Sequence, residues 1–136
     1  CGGFGLSQLN TPQCVAPCED GSFLVADSRN DRVLRFQPGM AEGEVVAGRG
    51  PDGPGASELS FPQWVAPLKG GGFLVVDRLN HRVLHFEDGV AEGKCVAGTG
   101  QEGSGLSELN HPACVAPLQD GSFLVADSFN HRILHF

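Results

Sequence analysis

The sequence has no tyrosine, one methionine (Met40) and one tryptophan (Trp64). Positive charge is also scarce, with 9 Lys and Arg against 16 Asp and Glu and a net charge of −7. That balance argues against nucleic acid as a partner, because phosphates are held by Lys and Arg that displace counterions. No run approaches the roughly 20 apolar residues of a membrane-spanning helix, so no membrane partner is expected. The cysteines Cys1, Cys14, Cys18, Cys95 and Cys114 are odd in number and form no CxxC. Unpaired thiols suit a reducing, intracellular compartment, the one hint about localisation. Because the chain starts at Cys1 without a methionine, it reads as an excerpt of a longer protein.

Signatures of chemistry are missing too. His81 with His131, and His85 with His135, are equivalent residues in different segments, and no three or four ligands converge, so no metal site is expected. Ser28 and Ser128 have no dedicated base and no G-x-S-x-G surrounds them. The glycine-rich stretch Gly48–Gly55 lacks the lysine and helix of a phosphate-binding loop and reads as a flexible connector. No catalytic residue and no cofactor are nominated.

What the sequence does have is a period of 50 residues. Pro12, Pro62 and Pro112 coincide, as do Asp27, Asp77 and Asp127, and 18 of the 26 positions in 11–36 recur in 111–136. One supersecondary unit is therefore copied along the chain. Cys14 and Cys114 share a position that Trp64 fills in the second copy, so apolar packing explains them without a disulfide.

Within each copy, short apolar runs alternate with glycine-bearing turns, and 20 glycines and 9 prolines fit many short elements. Cys14-Val15-Ala16-Pro17, Phe23-Leu24-Val25-Ala26, Val33-Leu34-Arg35-Phe36 and Val45-Val46-Ala47 read as four antiparallel strands, A to D. No helical periodicity is present. Sheets apolar on both faces need a neighbour on each face, and a radial array supplies them. The expected fold is all-β, a partial β-propeller with blades at about 12–50, 62–100 and 112–136. The last blade lacks its outer strand.

The most repeated cluster is Val25-Ala26-Asp27-Ser28-Arg29-Asn30-Asp31-Arg32-Val33, with counterparts around Asp77, Asn80 and Arg82 and around Asp127, Asn130 and Arg132. Asp and Arg flank a four-residue loop and should face each other as a charge-assisted pair. Asn is expected to take the left-handed backbone such a loop requires. An active site is needed once, so a trio present in every copy is a structural turn network.

This pattern resembles the NHL repeat, whose signature runs from a proline through a glycine turn to V-x-D-x-x-N-H-R-[IV] and a glycine-rich exit. His81-Arg82-Val83 and His131-Arg132-Ile133 match closely, while the first copy has Asp31 in the histidine place. An inner-strand acid common in the family is absent here, replaced by Pro17-Cys18, Pro67-Leu68 and Pro117-Leu118. The resemblance implies a six-bladed ring that serves as a platform for protein or RNA partners, with some relatives being enzymes. Three blades supply half of that ring, so the isolated chain is expected to self-associate as three plus three blades.

In a propeller the D–A and B–C connections share one rim. Large apolar and cationic residues that differ between copies gather there: Arg29, Phe61, Trp64, Arg78, Leu79, His81, His111, Phe129 and His131. Aromatic and arginine side chains are common anchors of binding. Phe61 and Trp64 could instead fill the core near the axis. The opposite rim carries acids such as Glu19, Asp20, Glu87, Asp88 and Asp120 against only Lys69 and Lys94. The expected function is a non-catalytic scaffold presenting the B–C and D–A loops to a protein or peptide. The alternatives are a propeller lyase or hydrolase with an axial metal site, and an RNA-binding propeller.

Overall fold

The computed structural model describes residues 2–136; Cys1, part of the cysteine count, lies outside the described residues. The first sheet is β1 (Pro12–Pro17), β2 (Phe23–Asp27), β3 (Arg32–Phe36) and β4 (Glu44–Ala47). The second is β5 (Pro62–Pro67), β6 (Phe73–Asp77), β7 (Arg82–Phe86) and β8 (Lys94–Gly98). The third has three strands, β9 (Cys114–Pro117), β10 (Phe123–Asp127) and β11 (Arg132–His135). Every sheet is an antiparallel meander in chain order, A to D in the first two and A to C in the third, as in a propeller blade.

Period-2 geometry explains why these strands are apolar on both faces. In the second sheet Val65, Phe73, Val75, Leu84 and Phe86 pack on Leu24, Ala26 and Val33 of the first sheet. Their alternates Ala66, Leu74, Val76 and Val83 pack on Val115 and Val125 of the third. The middle blade is thus buried twice. Val15, on the free face of the first blade, is 66% exposed, whereas its counterpart Val65 is 1% exposed. Ile133, on the free face of the third, is 65% exposed, against 0% for its counterpart Val83. A stacked phenylalanine pair ties strand B to strand C in each blade: Phe23 on Phe36, Phe73 on Phe86 and Phe123 on Phe136.

The B–C connections are three-residue 3₁₀ turns, Ser28–Asn30, Arg78–Asn80 and Ser128–Asn130. The left-handed residue of each is the one after the asparagine: Asp31 (φ 52°), His81 (φ 51°) and His131 (φ 53°). The expectation for Asn30, Asn80 and Asn130 is therefore corrected. The asparagine side chain is used instead as a bridge. Asn80 Nδ2 donates to Asp77 Oδ2 at 2.9 Å and to the Gly53 carbonyl at 2.7 Å.

The Asp–Arg pairing forms as expected, with Arg82 Nε 2.8 Å from Asp77 Oδ2 and matching pairs at Asp27–Arg32 and Asp127–Arg132. The rest of the guanidinium has a further role. Arg82 donates to the carbonyls of Pro54 (2.7 Å), Gly55 (2.8 Å) and Glu58 (3.1 Å). Asp77 Oδ1 accepts the Ser60 N–H at 2.7 Å. The glycine-rich D–A stretch is therefore fixed in place by the next blade's turn, which corrects the reading of a flexible connector. Gly98 closes the unit at φ 83°, where a Cβ would overlap the His81 carbonyl oxygen.

Candidate functional site

Fixing D–A loops to B–C turns builds one continuous rim. Backbone bonds reinforce it: Arg29 N–H donates to the Asn10 carbonyl, Leu79 N–H to Ser60 and Phe129 N–H to Asn110, each at 3.1 Å. On this frame the residue before each repeated proline, Thr11, Phe61 or His111, is also left-handed, with φ between 48° and 53°. Bulky side chains rarely adopt that conformation, and it costs on the order of 1–2 kcal/mol per residue.

Seams between blades repeat one latch. The side chain of the left-handed turn residue accepts the N–H of the left-handed residue in the following blade. Asp31 Oδ1 accepts Phe61 N–H at 2.7 Å, and His81 Nδ1 accepts His111 N–H at 3.1 Å. Ser28 Oγ adds a 2.5 Å bond to the Pro62 carbonyl across the first seam. In the middle blade that serine is replaced by Arg78.

Arg78 begins a stack that crosses the second seam. Its guanidinium carbon lies 6.0 Å from the Phe61 ring centroid and 5.9 Å from that of Phe129, within cation–π range. Phe129 stacks on His111 with centroids 4.3 Å apart, and His111 meets His81 edge-on at 4.6 Å. Burial lowers the His111 pKa, with the neighbouring His81 and Arg78 adding to the shift, so its ring is held neutral. Phe129 is 55% exposed, and Leu79, its equivalent in the middle blade, is exposed on the same rim.

Five of the nine nominated residues, Phe61, Arg78, His81, His111 and Phe129, are thus brought into one cluster. Arg29 and His131 are exposed at the B–C turns of the outer blades and make none of these ring contacts. Trp64 is 37% exposed on the inner strand, and Cys14 is half-buried with Sγ 3.6 Å from the Val65 carbonyl. Neither Phe61 nor Trp64 fills the core. Phe61 is turned to the rim by its left-handed backbone, and three blades leave the inner strands open toward the axis. Burial raises the Cys14 and Cys114 thiols, and Cys14, Cys18, Cys95 and Cys114 form no disulfide.

The structure also gathers residues the sequence kept apart. One ring nitrogen each of His81 and His111 and a carboxylate oxygen of Glu102 lie within 4.8 Å of one another. The hydrogen bonds decide what this trio can hold. Because His81 Nδ1 accepts the His111 N–H, the neutral His81 ring carries its proton on Nε2. Asn110 Oδ1, 2.7 Å from His111 Nδ1, accepts a hydrogen bond from the Nδ1–H, leaving the His111 Nε2 lone pair free. One free imidazole nitrogen and one exposed carboxylate make two ligands, short of the three or four a zinc site requires. Glu102 was missed by sequence reasoning, although Asp52 at the same position of the previous copy was a usable signal.

The other rim is less purely acidic than expected. Arg35 reaches across the first seam to Asp88 at 3.0 Å. Asp20 and Asp120 are held below the usual carboxylate range chiefly by the hydroxyls of Ser22 and Ser122 in their own turns. An open cleft on this side is lined by Glu19, Pro67, Leu68, Lys69, Pro117 and Leu118, with no imidazole, thiol or hydroxyl side chain.

The model of the NHL repeat matches residues 109–136. The third copy carries an NHL repeat. The two copies before it repeat the same Asp–Asn–Arg network. No curated protein matches the chain in sequence. Among solved structures, a protein of unknown function from Bacteroides thetaiotaomicron superposes with a TM-score of 0.75 and 19% identity, over 93% of this chain and 35% of its own. An auxiliary nutrient binding protein from the same organism gives 0.73 and 17%, over 88% and 35%. Virginiamycin B lyase from Staphylococcus aureus gives 0.58 and 10%, over 93% and 41%. At these identities the likeness is one of fold, and the chain spans about a third of the first of these structures.

Proposed function

We propose that this chain is a non-catalytic interaction module whose B–C and D–A rim engages a protein or peptide. One observation carries the reading. Phe61, Arg78, His111 and Phe129 depart from what the first copy has at the same positions, namely Thr11, Ser28, Thr11 again and Arg29. All four departures fall in a single stack across one seam. Rigid aromatic rings and an arginine, partly exposed and already ordered, are what a protein-binding hot spot uses. The fold-level neighbour named as a nutrient binding protein is compatible with a binding role.

A photo-crosslinking side chain at Leu79 tests the reading against one at Val90, which is equally exposed but in the C–D turn of the other rim. Protein adducts are expected at Leu79 and should disappear with Phe129→Ser. Adducts formed only at Val90 would count against the rim. The imidazole pair beside Glu102 favours one alternative, a propeller lyase. That alternative requires turnover of a substrate abolished by His111→Ala.

A further inference from the structure

The Arg78 guanidinium is half-buried between two aromatic rings, yet no carboxylate of the described residues pairs with it. The ion pairs present take Arg32, Arg35, Arg82 and Arg132 instead. Resting on the proposed rim reading, we infer that this site receives the side-chain carboxylate of an acidic residue in a linear peptide. The rings hold the guanidinium in place while its donors stay unfilled, and a carboxylate fills them in the planar, two-point geometry arginine favours.

The surrounding backbone decides between sources of the anion. A terminal carboxylate or a phosphate is normally captured by several free backbone N–H groups. Here those groups are already used. His111 N–H donates to His81, Leu79 N–H to Ser60, His81 N–H to Arg78 and Phe129 N–H to Asn110. One guanidinium remains, which matches one side-chain carboxylate. Phe129 and Leu79, both exposed, offer apolar contact to the residues beside that acid. The nearby Glu102 repels a second negative charge, so the fitting peptide has a single acid within an apolar segment.

The test is selection of a displayed library of random linear peptides on the immobilised chain, followed by Arg78→Ser and Phe129→Ser. Serine occupies the position of Arg78 in both other copies, so that substitution is compatible with the fold. The expected result is a set of binders sharing one Asp or Glu beside apolar residues, weakened about tenfold or more by Arg78→Ser, as loss of a charge-assisted bond predicts. Binders sensitive to Phe129→Ser but neutral, basic or indifferent to Arg78→Ser would overturn the acidic-residue inference while sparing the rim. If no binder is sensitive to either substitution, both the inference and the rim reading are overturned.

Discussion

The two seams of this molecule make the same connection with different chemistry. Between the first and second blades a carboxylate, Asp31, accepts the N–H of Phe61; between the second and third an imidazole, His81, accepts that of His111. The backbone is the same in both, down to left-handed φ angles within a few degrees. The same backbone therefore accepts either a carboxylate or an imidazole as the acceptor at this place. The Asp–Arg network beside it is invariant across the three copies. The difference separates residues that hold the blade from residues free to vary on its rim.

The largest effect should come from the invariant part. Arg82→Ala leaves Asp77 buried without its cation, at a cost of about 3–5 kcal/mol. Burial raises the Asp77 carboxyl even with its partners in place, so their removal is severe. At Asp127, burial is outweighed by bonds from Asn110, Asn130 and Arg132, which hold the carboxyl low. Arg132 is more exposed than Arg82, and Arg132→Ala should cost less than half as much in urea denaturation. Equal losses would erase the distinction between a covered blade and an open one.

A smaller effect is expected at the latch. His81→Ala strands the His111 N–H and should cost about 1–3 kcal/mol. His81→Asp should recover most of that in the same denaturation assay, because it recreates the first seam. No recovery would mean that the seams differ in more than their acceptor.

Much of this division can be read in the sequence. Short apolar runs bounded by glycine turns gave the strands, because a strand covered on both faces has no polar alternation to obscure it. Asp27 and Arg32 gave the B–C register, since charges flanking a four-residue loop can meet only across it. The rest of the guanidinium fork was hidden. Its acceptors are backbone carbonyls, which have no residue identity, although the glycines at 3, 53 and 103 and at 5, 55 and 105 repeat with the network. The left-handed position was assigned to asparagine on propensity, whereas latch geometry places Asp31, His81 and His131 there. The stack at the second seam was legible only as a list of unusual residues, because sequence alone does not set the distance between turns on adjacent blades.

The smallest effect is one of pH. His111 has a lowered pKa, so the unfolded chain binds a proton that the folded chain resists. Stability is then complete above the ordinary histidine value of 6.5 and declines as pH falls below it, until the folded ring also protonates. Urea midpoints between pH 7 and 5 should show this decline, and His111→Phe, which keeps the stack on Phe129, should flatten it. A decline unchanged by that substitution would assign the proton elsewhere.

The most direct measurement returns the rim to the residues of the first copy, with Phe61→Thr, Arg78→Ser, His111→Thr and Phe129→Arg in one chain. The expected result is an unfolding free energy from urea denaturation within about 1 kcal/mol of the original, because the first copy already holds these residue types on the same backbone, together with complete loss of binding to peptides selected on the original rim. A variant that unfolds, or one that still holds those peptides, would contradict it.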